Sequence, residues 1–408
     1  MMALTATPIK SPVELSERAR AFQQELREWL RANAPAKLKG LRLGEVRLDG
    51  DVRAAVLDWM DQLREAGYVC VAWPKEYGGR GLTGVEVALL NEEFHRAGVP
   101  SSWSWDTLGY GERIVGPSII AHGSEDQKAY FLPRIIKGVD RYCQGFSEPN
   151  AGSDLASVRT KGVVEGEEII VNGQKVWTSN YWDANMVFCL CRTDQSAPKH
   201  RDISYVLIPI DGNGIEFRPI KGMTGEGHFA ETFITNARAP ISNVIGGLNN
   251  GWRVAMTTLG IERGGRATTQ HVRFQEQFWN LVDEVRKRGK LNDPRVREQL
   301  AWAYSNVELM RMSGLVLLNA LATGQDPGRG ATDSINKIRW SEYERRLAEI
   351  ALDILGPDAL TTGNKYELSL WQTAFLETRT HTIWGGTAEI QRNVIAERVL
   401  GLPKEPSL

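Results

Sequence analysis

The residues best suited to chemistry in this 408-residue chain lie in one loop, Phe146 to Asp154. The loop concentrates small and polar side chains, with Ser147, Asn150, Gly152 and Ser153 between apolar neighbours. Backbone N–H groups and small hydroxyls in such a loop can approach a bound polar group closely. The pattern predicts a cofactor-binding loop, although a Gly-rich loop that merely precedes a hairpin has the same composition.

The sequence after this loop is patterned for β-structure. Asn172-Gly173 stands between two strand-like runs, residues 168–171 and 174–179. Asn-Gly readily takes the positive φ angles of a tight turn, so we predict a hairpin at this point. The second run ends in Trp177-Thr178-Ser179, an aromatic ring beside two hydroxyls, which could face a ligand or belong to an ordinary core.

Periodicity divides the elements that position these residues into three parts. Apolar residues recur at helical spacing from Pro12 to about Arg31, with Ser11 as the candidate N-cap, and again over 52–66, 85–96 and 124–136. Strand-like runs follow from Tyr142 to about Gly246. Helical segments return at about 251–287, 294–323, 332–355, 366–380 and 387–399. We therefore predict an α+β multidomain protein with an N-terminal all-α domain (1–140), a β-barrel-like middle domain (141–246) and a C-terminal antiparallel helical bundle (247–408).

The overall composition narrows the possible partners. The chain has 49 Lys and Arg against 50 Asp and Glu, a net charge of −1. It therefore has no excess of positive charge that would attract nucleic acid or an anionic membrane. The four cysteines show no metal-ligand spacing, and core thiols in a reducing compartment are expected. The N-terminus lacks the apolar core of a signal peptide and Leu315 to Ala322 is too short to span a bilayer, so we predict a cytoplasmic protein.

Five stretches carry a resemblance to a known family. They are, in chain order, WPKEYGGRGL, FSEPNAGSD, NGQKVWTSN, HFAETFITNARAP and WGGTAEIQRNVIAERVLGLP. In type and order they resemble the signatures of the acyl-CoA dehydrogenases, FAD enzymes that desaturate acyl-CoA thioesters, and they extend over nearly the whole chain. The resemblance implies a helix, β, helix fold, bound FAD, an acyl-CoA substrate, an electron-transfer flavoprotein as acceptor and a dimeric or tetrameric assembly.

The family uses a carboxylate to remove the α-proton of the thioester. In one large branch that Glu precedes Gly-Thr in the last signature, where this chain has Gly385. In the isovaleryl and long-chain branch the Glu precedes an Arg on the first C-terminal helix, and the matching residue here is Glu262. At helical spacing Thr258, Ala255 and Gly265 share its face and leave room for a ligand. The alternative is a surface ion pair between Glu262 and Arg266.

Other site residues follow from the same resemblance. The phenylalanine and serine that open the loop match residues at the pyrimidine end of the flavin, and the Trp and Ser of the second strand match those near its N5 and dimethylbenzene side. Thr387 and Glu389 match positions near the FAD phosphates and ribose, and Ser153 matches one that also touches the pantetheine. Arg263 matches an Arg along the CoA or acyl channel. The cofactor set is Phe146, Ser147, Gly152, Ser153, Trp177, Ser179, Arg288, Thr387 and Glu389. The substrate set is Ser153, Arg263, Trp384 and Gly385, whose backbone N–H is expected to polarise the carbonyl.

The chain departs from the family in two stretches that bind FAD of a neighbouring subunit. Residues 285–290 lack the Phe that follows the family's Arg, and the Gly-rich turn is altered at 354–359. Arg286 or Arg288 could still serve the phosphates. In these losses the chain resembles subunits of the bacterial heteromeric acyl-CoA dehydrogenases, including steroid side-chain enzymes, so one alternative is a subunit that needs an unlike partner. A separate alternative is a flavin oxidase or monooxygenase on the same fold.

Overall fold

The computed structural model describes residues 15–41, 48–104, 109–194, 196–264, 268–323 and 331–404. Ser11, Gly265 and Arg266 lie outside these ranges. The backbone of residues 261–264 is described, but their side chains are not, and these include the side chains of Glu262 and Arg263.

The N-terminal part is helical, as predicted. Its helices are α1 (Glu17–Asn33), α2 (Gly50–Glu65), α3 (Gly84–Ala97), α4 (Gly116–His122) and α5 (Glu125–Ile136). Helix α1 begins at Glu17, and its N-cap is Ser16, which accepts a hydrogen bond from Ala19 N. The cap predicted at Ser11 lies outside the described residues. Capping boxes at Thr83 and Ser124 set the starts of α3 and α5.

The middle part is one mixed sheet. Its strands are β1 (Tyr142–Gly145), β2 (Lys161–Glu165), β3 (Glu168–Ser179), β4 (Met186–Arg192), β5 (Ile203–Pro209), β6 (Ile215–Ile220), β7 (Phe229–Pro240) and β8 (Val244–Ile245). Among the described residues the spatial order is β6-β7-β3-β2-β4-β5-β8, with β1 parallel to β4. The three cysteines of this part are buried and free, which agrees with their prediction as core thiols.

The hairpin predicted at Asn172-Gly173 was wrong. Both residues lie inside β3, and the actual hairpin joins β2 to β3 through Gly166, whose φ is +62°. Asn172 and Gly173 instead mark a shift in the pairing of β3 with β7. A Cβ on Gly173 would lie 2.4 Å from Thr160 Oγ1, so the glycine is needed for close packing and not for a turn.

The C-terminal part is again helical. Its helices are α6 (Gly251–Gly264), α7 (Gln270–Lys287), α8 (Pro294–Ala322), α9 (Ala331–Leu355), α10 (Leu370–His381) and α11 (Ala388–Val394). The segment predicted as helical over 251–287 contains two helices, α6 ending at Gly264 and α7 beginning at Gln270, and residues 265–267 between them lie outside the described ranges. The helix, β, helix architecture is confirmed, whereas the limits 1–140, 141–246 and 247–408 remain predictions.

The apolar cores explain how the parts are held together. One cluster joins the N-terminal helices, the sheet and α6, and it includes Trp73, Phe146, Tyr205, Val254 and Ala255. A second cluster lies among α7, α8, α9 and α10 and forms the core of a four-helix bundle. Helix α6 therefore packs against the sheet and the N-terminal helices, and its buried residues belong to the same apolar cluster as Phe146 of the predicted cofactor loop. None of the helices in the described ranges is long and apolar enough to cross a membrane.

Candidate active site

The predicted cofactor loop has a defined backbone conformation. Glu148 N donates to Ala151 O over 2.9 Å and Ala151 N donates back to Glu148 O over 3.0 Å, which closes the loop tip. Ser147 is half-buried beside this closure, while Gly152 and Ser153 are exposed. The loop thus presents a small hydroxyl and backbone to its surroundings without a large side chain in the way.

A buried ion pair lies beneath the loop. Lys175 is fully buried in β3, and its Nζ lies 2.8 Å from Glu148 Oε1 and 3.1 Å from the carbonyl oxygen of Phe146. The carboxylate also accepts hydrogen bonds from the backbone N–H groups of Arg159 and Thr160. Burial alone would raise the pKa of Glu148, but the Lys175 charge and these donors hold that pKa below its ordinary value. Sequence reasoning missed this pair, although a lysine inside a buried strand was a usable signal.

The aromatic ring predicted beside the loop is held in an unusual conformation. Trp177 has φ +64° at a second irregularity in the β3–β7 pairing, and 58% of its surface is exposed. Such a backbone costs about 1–3 kcal/mol and persists where the surroundings enforce it. Val176 N donates to Ser147 O over 2.9 Å, so the structure brings the loop and the Trp177 segment together. Ser179 lies two residues on, paired with Phe229 at the end of β3.

Helix α6 is docked by its hydroxyl-bearing residues. The Thr258 hydroxyl lies 2.9 Å from that of Ser118 on α4, and His122 Nε2 lies 2.8 Å from the Thr257 hydroxyl. Burial, together with the nearby Arg253, lowers the pKa of His122. Thr258 is fully buried on the helix face that joins the core cluster with Phe146. Glu262 follows Thr258 by one helical turn of backbone, close to the end of α6 at Gly264.

The signature that begins at Trp384 lies in the C-terminal part, between α10 and α11, and is called the Trp384 corner below. The Trp384 ring is tilted by 46° against that of Trp340, with ring centres 5.5 Å apart, and Gly385 has φ +68°. The buried Lys337 on α9 donates to the carbonyl of His381, and its Nζ lies 5.7 Å from the Trp384 ring centre. Among the described residues a Cβ placed on Gly385 would meet only Lys337 Cε, at 3.9 Å, so these residues leave space at this position.

Thr387 and Glu389, the predicted phosphate and ribose contacts, open α11. The Thr387 hydroxyl oxygen accepts from Ile390 N over 3.2 Å as the N-cap. A hydrogen bond from the backbone of Glu389 and one from the Thr387 side chain lower the pKa of the exposed Glu389. Both residues therefore stabilise the start of the helix, and their contact with a cofactor remains a prediction.

A buried carboxylate contacts His381, the last residue of α10 before the Trp384 corner. Glu344 on α9 lies 2.6 Å from Arg273 Nη2 and 2.9 Å from His381 Nδ1. Burial raises the pKa of Glu344, but Arg273 and His381 outweigh it and leave the pKa below the ordinary value. Sequence reasoning missed this group, because its members come from three different helices.

Arg288, the predicted pyrophosphate contact, lies apart from both groups. It is the C-cap of α7, and its guanidinium lies 2.6 Å from Asp358 and 3.0 Å from Glu284. The hydrogen bond to Asp358 and the two carboxylate charges raise its pKa. Within the chain its charge is thus already compensated, in the stretches where the sequence departs from the family.

Comparisons with known proteins agree with this architecture. Family models described as acyl-CoA dehydrogenase N-terminal, middle and C-terminal domains match residues 16–139, 143–237 and 249–400. The acyl-CoA dehydrogenase IpdE1 of Mycobacterium tuberculosis is 39% identical over 385 residues, which cover 94% of this chain and 98% of that protein.

Two solved structures resemble the chain over nearly its full length. One, titled "Tcur3481-Tcur3483 steroid ACAD", has a TM-score of 0.80 and 29% identity and covers 96% of this chain and 99% of its own. The other, the ChsE4-ChsE5 complex from Mycobacterium tuberculosis, has a TM-score of 0.75 and 27% identity and covers 96% of this chain and 100% of its own. With three domain models in order and a relative at 39% identity over almost all of both sequences, the chain belongs to the acyl-CoA dehydrogenase family of oxidoreductases.

Proposed function

We propose that the chain catalyses α,β-dehydrogenation of an acyl-CoA thioester to the trans-2-enoyl-CoA, with FAD as cofactor and Glu262 as the base. The supporting observation is the docking of α6: Val254 and Ala255 on its buried face belong to the core cluster that contains Phe146 of the loop, and Glu262 follows the buried Thr258 by four residues in the same helix. The other position that the family uses for a base is Gly385, which has no ionisable side chain.

The loop and the end of β3 fit a flavin. Ser147 and Ser153 offer hydroxyls, Gly152 leaves the backbone open, and the exposed Trp177 ring offers an aromatic surface held by an enforced backbone angle. Trp177 is large and apolar, and the free energy cost of both its exposure and its positive φ favours a ligand at this surface. Bound FAD would supply the acceptor for the β-hydride, and an electron-transfer flavoprotein would then take the electrons.

The residues of the chain would carry out the proton transfer and orient the thioester. The Glu262 carboxylate would take the α-proton, and its desolvation by the bound flavin and thioester would raise its basicity. The Gly385 N–H would donate to the thioester oxygen and stabilise its growing negative charge. Arg263 would lie along the acyl or CoA channel. The open space at Gly385, with Trp384 as its wall, leaves room for a bulky acyl group.

The test is the visible absorption of the purified chain, before and after anaerobic addition of acyl-CoA thioesters. The panel includes straight-chain, branched and steroid side-chain thioesters, because a similar solved structure is titled a steroid enzyme. A yellow protein bleached by one thioester would establish both activity and substrate class. Glu262→Gln should keep the yellow colour and lose bleaching, whereas Glu276→Gln, on the half-exposed side of α7, should retain both. Full activity of Glu262→Gln would remove Glu262 from the mechanism.

A second candidate is a subunit that completes its FAD site only with an unlike chain of the same fold. Arg288 is held by Glu284 and Asp358, and the flanking motifs are altered. An apolar stripe on α8 also lacks cover within the described chain: Trp302, Leu309, Met312 and Val316 share one face and are 37% to 71% exposed.

This candidate predicts a colourless chain that becomes yellow only when the unlike chain is added with FAD. Val316→Glu, at the most exposed position of the stripe, should leave the helix content unchanged and reduce the assembled mass in light scattering. A chain that is yellow alone would contradict the need for a partner. An assembly that tolerates Val316→Glu would show that this stripe is not its interface.

A further inference from the structure

The buried pair Lys175–Glu148 connects the two elements on which the flavin is proposed to lie. Lys175 comes from the middle of β3, and Glu148 comes from the loop, 27 residues earlier in the chain. Both side chains are buried, and the carboxylate is saturated by Lys175 and by two backbone N–H groups. A charge withdrawn from water in this way must gain from its partners what it loses in hydration.

The pair fixes the direction of one peptide group. Lys175 Nζ donates to the Phe146 carbonyl, and Val176 N donates to the Ser147 carbonyl, so both carbonyls are turned toward β3. In a trans peptide the N–H points opposite to the C=O of the same unit. The Ser147 N–H shares its peptide unit with the Phe146 carbonyl and is therefore turned away from β3.

The same lysine anchors the strand just before its irregularity. The pairing of β3 with β7 shifts between Lys175 and Thr178, and Trp177 with φ +64° lies inside this shift. A fixed side chain at 175 prevents the strand from slipping by one residue, a change that would turn Trp177 to the other face of the sheet. The loop amide and the aromatic ring therefore depend on one ion pair.

We propose that Lys175 and Glu148 are positioning residues for FAD: they direct the Ser147 N–H and hold the Trp177 segment in its binding conformation. This inference depends on the proposed function, because it assumes that the flavin lies on this loop. Neither residue is proposed to touch the reacting atoms. An apolar residue at 175 would fill the core without a desolvation cost but would leave the Phe146 carbonyl and the Glu148 carboxylate without their donor.

The test compares full-length variants stripped of cofactor and titrated with FAD, with the unlike chain present if the wild type requires it. The measurements are the FAD dissociation constant from flavin fluorescence and the shape of the visible band of the bound flavin. Lys175→Met should weaken FAD binding by about tenfold, the factor that corresponds to one misdirected hydrogen bond. It should also change the visible band. Lys175→Arg, which keeps the charge, should recover part of the affinity.

Lys199→Met is the matched control. Lys199 forms an exposed pair with Asp154 in the same loop, and both side chains are at least half in solvent. This variant should bind FAD like the wild type. If Lys175→Met does not fold, the neutral double variant Glu148→Gln/Lys175→Met replaces it, since that variant leaves no unpaired buried charge.

The outcomes separate the two proposals. A folded Lys175→Met or double variant that binds FAD with unchanged affinity and an unchanged visible band would overturn the positioning role while leaving the proposed function intact. A wild type that binds no FAD, alone or with an unlike chain, would overturn both.

Discussion

Removing the lysine of the buried Lys175–Glu148 pair should change both the stability of the chain and the sign of its pH dependence. In Lys175→Met the Glu148 carboxylate remains buried without its cation. Breaking a buried pair from one side costs about 3–5 kcal/mol. That is a large share of the roughly 5–15 kcal/mol by which domains are usually stable. We therefore expect a marked fall in the urea midpoint at neutral pH.

The pH dependence follows from the direction of the Glu148 shift. In the wild type the pKa of Glu148 lies below its ordinary value, so the pair stabilises the fold above that value and the contribution is lost as pH falls through the lowered pKa. In Lys175→Met burial is no longer offset by the lysine and raises the pKa of Glu148. Its contribution then reverses, and the variant loses stability as pH rises through the raised pKa.

The assay is urea unfolding followed by circular dichroism between pH 5 and 8. Lys175→Met should regain part of its lost stability at the acidic end, where the carboxyl is protonated. Glu148→Gln/Lys175→Met should be more stable than Lys175→Met at neutral pH, and Lys199→Met should be within about 1 kcal/mol of the wild type because its pair is exposed. A Lys175→Met variant with the wild-type free energy of unfolding and the wild-type pH dependence of that free energy would refute the assignment of a charged pair that stabilises the fold.

Two further predictions concern packing and docking. Gly173→Ala should lower stability by about 1–3 kcal/mol in urea unfolding, because its Cβ would lie 2.4 Å from Thr160 Oγ1 and 2.8 Å from Thr160 Cα. Gly152→Ala should be neutral, because no atom of the described residues lies within 4 Å of the added Cβ. Equal effects of the two variants would contradict the packing argument. Ser118→Ala and Thr258→Val should show a coupling of about 0.5–1.5 kcal/mol in a double-mutant cycle, because their hydroxyls lie 2.9 Å apart. Strict additivity would show that this contact does not hold α6 against α4.

The elements that depend on local pattern were predictable from the sequence. Helix α8 was expected over 294–323 and extends over Pro294–Ala322, and β5 was expected over 203–210 and extends over Ile203–Pro209. In both, hydrophobic spacing within one segment decides the structure. The order of helical, β and helical parts follows from the same information, so the architecture could be predicted before the packing of any helix was known.

The wrong predictions fall where pairing with a distant segment determines the local structure. Asn172-Gly173 has the local chemistry of a turn, yet pairing of β3 with β7 along both strands outweighs it. Asn172 Oδ1 accepts a hydrogen bond from Asn236 N on β7, so the Asn172 side chain takes part in the strand pairing and not in a turn. The backbone angle of Trp177 has the same origin, since its φ is imposed by a register shift against β7. A propensity assigned to two neighbouring residues cannot contain this information.

The buried lysine shows how far sequence reasoning toward the site could have gone. Ile169, Val171 and Lys175 are all fully buried in β3, and a lysine among apolar residues of a buried strand requires a carboxylate partner. The requirement is visible in the sequence, but 50 acidic residues could meet it. Only the fold identifies Glu148 as that partner, in the loop already predicted to bind the cofactor. The composition of the loop was visible in the sequence and its cofactor contacts remain predictions, whereas the group that holds its backbone in place depends on a contact between segments far apart in the chain.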